Sequence, residues 1–149
     1  MIKRVIEQLF GTRQAREVRR LTPLVKEIHQ HEARLTGLSE MELKAQTARF
    51  RERISERTGA LQNELASVRQ AKHDCEDPVE RVQLEERAHT VEMDYKKALR
   101  MVLDELLPEA FATVREACRR LLGTPVVVTG REQLWDMVPY DVQLIGGIE

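Results

Sequence analysis

Residues 61–106 read LQNELASVRQAKHDCEDPVERVQLEERAHTVEMDYKKALRMVLDEL, and this stretch decides the fold. Before the Asp74–Pro78 region an apolar stripe runs through Leu43, Phe50, Ile54, Leu61, Leu65 and Val68 at intervals of mostly three, four or seven. After it a second stripe follows at Leu84, Ala88, Val91, Tyr95, Ala98, Val102 and Leu106. Such spacing keeps one helical face apolar. Asp77-Pro78-Val79-Glu80 supplies a cap, a first-turn proline and an acidic first turn for the second helix. Two heptad arms joined by a short polar turn predict an antiparallel helical hairpin, because neither stripe can stay exposed. Gly59 interrupts the first arm, so the helix is expected to bend or divide there, at a cost of about 1 kcal/mol relative to alanine. Self-association through the stripes stays open, since the pattern does not say whether they pair within or between chains.

On the N-terminal side, Ser39-Glu-Met-Glu42 is a capping box after the break at Leu35–Ser39. A helix from about Gln14 to about Leu35 keeps Val18, Leu21, Val25 and Ile28 at helical spacing, with Pro23 expected to kink or restart it. The opening ten residues place Ile2, Val5, Ile6, Leu9 and Phe10 on one stripe, with Lys3, Arg4, Glu7 and Gln8 opposite. Arg13, Arg16, Arg19 and Arg20 follow, so the start of the chain is both amphipathic and basic. Such a segment suits a lipid interface with acidic head groups, or a short helix docked on its own domain or a partner chain.

On the C-terminal side, Pro108 is expected to divide the second arm from a helix over Glu109–Leu122, which carries Phe111, Val114, Cys118 and Leu121 on one face and closes at Gly123. Val126–Val128 and Gln133–Val138 are β-prone runs around Thr129-Gly130 and predict a small ribbon. Pro139 ends it and Asp141 caps a final turn. The chain then stops on the apolar Gly146-Gly147-Ile148-Glu149, which reads as a cut through a larger domain. The fold class is thus mainly α: a long antiparallel hairpin, shorter helices and a small β-ribbon.

Composition agrees. Of 149 residues a third are charged and 4% aromatic, which suits long solvated helices. The net charge is −1, giving no overall attraction to nucleic acid. That average joins a +4 start (residues 1–20) to a −5 remainder. Two cysteines without a CxxC pattern point to a reduced setting, and no apolar run approaches a membrane span.

Several chemistries find no footing. His29, His31, His73, Cys75, His89 and Cys118 form no zinc pattern, so no metal is expected, and Cys118 reads as a small core residue. No serine or cysteine sits in a nucleophile elbow. No Gly-rich loop leads to the Lys-Ser or Lys-Thr that cradles phosphates, so the chain is not expected to hydrolyse a nucleoside triphosphate by itself.

One stretch is sharper. Asp141-Val-Gln-Leu-Ile-Gly-Gly147 resembles the segment just before the Walker A loop of the SecA family, the motor ATPases of bacterial preprotein translocation. Leu38 to Arg53 resembles the family's early helix, Leu107 to Arg120 the next, and Phe10-Gly-Thr-Arg13 the turn after its N-terminal helix. These four ordered blocks lie between Phe10 and Gly147.

The resemblance implies an N-terminal piece of a larger α/β motor domain. It implies that Gln143 reads adenine as the glutamine of a Q motif, with Tyr140 near the base and Met137 as a further apolar contact. A side-chain amide offers the donor and acceptor that adenine requires. Tyr140 stands where the family usually has phenylalanine, and Val138-Pro139 where it commonly has Arg-His. The cofactor implied is ATP in the parent protein, bound weakly or not at all by this chain.

The basic start corresponds to the family's membrane-surface and channel-binding helix. This gives Ile2, Lys3, Arg4, Ile6, Leu9, Phe10, Arg13 and Arg16 contact with the translocon channel and anionic phospholipid, with preprotein as cargo. The implied location is cytoplasmic, peripheral at the inner face of the cell membrane. The segments expected are 1–12 (basic helix), 13–54 (N-terminal helices), 55–102 (inserted hairpin), 103–123 (helix) and 124–149 (ribbon and Q-motif segment). The rival reading is a stand-alone helical-hairpin interaction protein that binds no nucleotide.

Overall fold

The computed structural model describes residues 13–148. Six elements follow one another: α1 (Arg13–Leu35), α2 (Glu40–Asp74), α3 (Pro78–Leu121), β1 (Pro125–Val128), β2 (Arg131–Leu134) and α4 (Asp141–Ile148). The chain is mainly helical, and its strands form one two-stranded antiparallel sheet. Two compact units divide it, one made of Lys44–Leu107 and the other of the described residues up to Leu43 together with those from Pro108 onward.

The Lys44–Leu107 unit is the hairpin. Its turn is closed by Asp77, whose carboxylate Oδ1 accepts the Val79 N–H at 2.8 Å and whose carbonyl accepts the Arg81 N–H at 2.9 Å. Pro78 occupies the first helical position, where a missing N–H costs nothing. Leu65, Val68, Ala88 and Val91 are buried together, with Leu84 against them. The two stripes therefore pair within the chain. Ion pairs cross between the arms: Arg57 with Glu105 (3.0 Å), Arg87 with Glu64 (3.1 Å), Arg69 with Glu92 (2.8 Å), and Lys72 with Glu85.

Two expected interruptions are absent. The α2 helix runs through Gly59 without a break, with Thr58 buried on one side and Leu65 on the other. Pro108 lies inside α3, which continues from Pro78 to Leu121. A proline interior to a helix costs about 3 kcal/mol. Burial on both sides of it, of Val102 and Leu106 before and Ala112 after, is worth more than that. The same reasoning covers Pro23, which α1 passes between buried Leu21 and Val25.

In the other unit, Val25, Ile28, Leu35, Leu43, Ala112 and Leu144 form one buried cluster, with Leu38, Phe111, Ala117, Ile145 and Ile148 against it. The capping box at Ser39 is formed: Glu42 accepts the Ser39 N–H at 2.8 Å, and the Ser39 hydroxyl oxygen accepts the Glu42 N–H at 3.3 Å. The ribbon pairs Pro125 with Leu134 and Val128 with Arg131. Its two-residue loop, Thr129 (φ 51°) and Gly130 (φ 78°), has both φ angles positive, which matches the right-handed twist of paired strands. The second strand lies earlier than the sequence suggests, because this tight loop brings Arg131 directly opposite Val128. Trp135–Tyr140 then leave the ladder as irregular chain.

Candidate functional site: an open apolar cavity at the start of the last helix

The cavity lies within the unit formed by the described residues up to Leu43 and from Pro108 onward. Its volume is about 760 Å³. One wall is α3, through Ala110, Phe111, Val114 and Cys118; the other is the irregular segment Trp135–Tyr140 with Gln143 and Leu144 of α4. Met137, Tyr140 and Gln143 thus line one space. Tyr140 and Met137 are 72% and 61% exposed, so the cavity presents its apolar groups at an open mouth.

Local chemistry holds this shape. Gln143 is the third residue of α4, and its side-chain Oε1 accepts the Tyr140 N–H at 2.8 Å. The Tyr140 carbonyl in turn accepts the N–H groups of Gln143 (2.8 Å) and Leu144 (3.0 Å). This reciprocal cap satisfies backbone groups at a helix start. It engages one lone pair of Oε1 and leaves the Nε2 donors without a partner among the described residues. The Trp135 indole N–H donates to the Met137 carbonyl at 2.8 Å, fixing the turn between the ribbon and the cavity. A Cβ on Gly147 would stand 3.3 Å from Phe111 Cε1, so a glycine there permits the close approach of α4 and the ring.

Beneath the helix start lies a network of charge that periodicity did not indicate. The His29 ring sits 3.1 Å from Asp141 and 3.2 Å from Glu32. Arg115 reaches both carboxylates, at 3.3 Å and 3.4 Å. Glu32 is also paired with Arg119, and the buried Glu116 accepts from Arg119 and Arg120, each at 2.8 Å. Arg120 donates further to the carbonyls of Leu35 (3.1 Å) and Leu38 (2.8 Å), closing the C-terminal end of α1. Desolvation alone would lower the Arg119 pKa, but its hydrogen bonds and charge pairing with Glu32 and Glu116 outweigh that and hold it above its ordinary value. The network ties α1, α3 and α4 together at the first residue of the Q-like segment.

The single face expected for Phe111, Val114, Cys118 and Leu121 borders the cavity, and Cys118, expected as a small core residue, belongs to it. Phe111, Val114 and Cys118 form the cavity wall, and Leu121 is exposed. The signal was present as helical spacing, but spacing does not distinguish a core face from a cavity face. Cys118 is half-buried, and desolvation raises its thiol pKa, so it stays protonated. Of the residues expected at a membrane or partner, Ile2, Lys3, Arg4, Ile6, Leu9 and Phe10 lie outside the described residues, as does the side chain of Arg13. Arg16 is exposed on α1. Among the described residues no helix is long and apolar enough to cross a membrane, and no three His, Cys, Asp or Glu side chains group as metal ligands.

Comparison with known proteins gives this geometry a context. The family profile of the SecA DEAD-like domain matches residues 6–149. A protein translocase subunit SecA of Chloroherpeton thalassium is 37% identical over 144 residues, covering 96% of this chain and 14% of that protein. The SecA of Pelodictyon phaeoclathratiforme is 35% identical over 146 residues (97% of this chain, 14% of that protein), and that of Salinibacter ruber 38% over 163 residues (96% and 14%). This chain therefore spans about one-seventh of the length of these relatives. No solved structure matches. With the profile covering all but a few residues, including the cavity, the capped helix start and the hairpin, the chain belongs to the SecA family.

Proposed function

We propose that this chain is the N-terminal region of a SecA-like protein-translocation motor and supplies the adenine side of its ATP site. The observation that carries the reading is that Met137, Tyr140 and Gln143 line one open apolar cavity. Adenine is a flat apolar ring with an N6 donor and an N7 acceptor on one edge. Gln143 has unused Nε2 donors for N7 and a second Oε1 lone pair for N6, while Tyr140, Met137 and Phe111 offer surfaces to the ring faces. The chain holds no Gly-rich loop ending in Lys-Ser or Lys-Thr. Phosphate and magnesium are then handled by other parts of the motor, and this region alone binds through the base only.

Base-only contact gives affinity of about millimolar order. The test is an NMR titration read at the indole N–H of Trp135, the single tryptophan, which lines the cavity. AMP and ATP are expected to shift it alike, GTP not at all, and Gln143→Ala to reduce the shift severalfold. Equal responses to ATP and GTP, or micromolar ATP affinity, would refute the base-only reading.

The basic amphipathic start, with Ile2, Lys3, Arg4, Ile6, Leu9, Phe10, Arg13 and Arg16, is proposed to bind anionic phospholipid and the translocon channel, with preprotein as the motor's cargo. That places the motor peripherally on the cytoplasmic face of the membrane. Co-sedimentation with anionic vesicles at low and high salt tests it. Binding that survives deletion of residues 1–20 would locate the contact elsewhere.

A further inference from the structure

The helix that carries Gln143 is short, and apolar packing holds it mainly by its second turn. Leu144 is its buried side chain, with Ile145 and Ile148 packed against the same cluster. At the helix start, Val142 is 73% exposed and Tyr140, just before it, 72%, so apolar contact does little to fix that end. Asp141 lies on the face of Leu144, Ile145 and Ile148, which follow it at spacings of three, four and seven. Its Oδ1 meets His29 Nε2 at 3.1 Å and Arg115 Nη1 at 3.3 Å. In the tautomer with its proton on Nε2, the His29 ring donates to Asp141 and its Nδ1 accepts from Arg115 Nη1 at 3.0 Å. The two groups that grip Asp141 therefore also hold each other, and the buried Glu32 backs both. Arg115 reaches this position with its own Nε buried and without a hydrogen-bond partner among the described residues, an arrangement that calls for a reason beyond local satisfaction.

We propose that Asp141, gripped by His29 and Arg115, is the positioning residue of the base site: it fixes the rotation of α4 and with it the direction in which Gln143 presents its amide. The inference rests on the reading of Gln143 as the adenine contact. Gln143 follows Asp141 by two residues, about 200° around the helix, so it points away from the gripped face and into the cavity it lines. Apolar contacts are non-directional and leave a short helix free to turn or slide. Hydrogen bonds to a carboxylate have preferred angles, and two of them from different helices set one orientation. None of Asp141, His29, Arg115 and Glu32 lines the cavity, so they act through Gln143 and not on the base. The residue that touches ligand and the residues that aim it thus sit on opposite faces of one helix, and the aiming donors come from α1 and α3.

The test is the AMP titration of the Trp135 indole N–H, carried out on variants at Asp141 and His29. Their side chains are 51% and 41% exposed, so neither substitution opens the core, and circular dichroism should show unchanged helix content. Asp141→Ala is expected to weaken AMP binding roughly threefold or more, and His29→Ala to weaken it less, since Arg115 still reaches the carboxylate. Asp141→Asn keeps an Oδ1 acceptor for both donors and is expected to bind AMP within about twofold of the original chain. The double variant should bind no more weakly than Asp141→Ala, because the His29 contribution passes through Asp141. An Asp141→Ala chain that binds AMP as before, an Asn variant as weak as the Ala variant, or losses that add in the double variant would each overturn the inference while leaving Gln143 as the base contact. A chain whose indole ignores AMP, or whose response is indifferent to Gln143→Ala, overturns the adenine reading and this inference with it.

Discussion

The two units are held by different means. In the hairpin, contacts follow the helical repeat: buried residues three and four apart face their counterparts, and exposed ion pairs bridge the arms. In the other unit, three segments remote in sequence meet around Ile28, Ala112 and Leu144, and carboxylates of α1 and α3 are buried among arginines. A periodic unit loses little when one surface charge is removed. A unit built around buried charge depends on each partner, because a lone buried ion is far more costly than the pair is favourable.

Breaking the contrast most directly is Glu32→Ala. It removes the buried carboxylate shared by Arg115 and Arg119, leaving Arg115 with Asp141 alone and Arg119 sharing Glu116 with Arg120, and is expected to destabilise by about 3–5 kcal/mol in urea unfolding. Leu65→Ala in the hairpin removes a buried side chain and leaves a cavity, costing about 3 kcal/mol by the same measurement. If the larger loss fell on Leu65, the hairpin rather than the charged cluster would be the sensitive element.

Pro108→Ala should raise stability by about 1 kcal/mol, since restoring the N–H and its acceptor outweighs the lost ring contacts and the looser unfolded chain. A lower urea midpoint would show that the buried ring is needed. Arg57→Ala, which removes an exposed bridge to Glu105, should change stability by no more than about 0.5 kcal/mol.

The smallest effect is one of pH. The Lys96 hydrogen bond and charge, with help from Arg69, hold the Glu92 carboxyl below its usual range. A carboxylate depressed on folding contributes fully above its unfolded pKa, and that contribution is lost as pH falls through the lower folded value. Carbon-13 titration of Glu92 should show the depressed midpoint, returning toward the ordinary carboxylate range in Lys96→Ala.

Much of this was legible beforehand. The hairpin, its Asp77-Pro78 turn, the Ser39 capping box and the ribbon around Thr129-Gly130 are local or periodic features, and each formed, the ribbon with its second strand starting at Arg131 and not at Gln133. The Q-like segment was legible through resemblance, and its three expected residues converge on one cavity. The misread points share a cause. Gly59, Pro23 and Pro108 carry local penalties of about 1–3 kcal/mol that lead to an expected division or restart of the helix, yet α2, α1 and α3 each run through them as one element. Burial of neighbours such as Val25, Leu65 and Ala112 exceeds those penalties, and burial is not a local quantity.

The amino-acid sequence by itself determined the helical class, the hairpin and the family, because repeat, cap and motif act over a few residues or a few turns. Only the tertiary structure decided that Phe111, Val114 and Cys118 wall a cavity. The same is true of Asp141, which is held by His29 and Arg115, residues 112 and 26 positions away. Pairings of that kind leave no period in the chain. They arise when packing removes water from several charges at once and each must find its counterion within hydrogen-bonding reach.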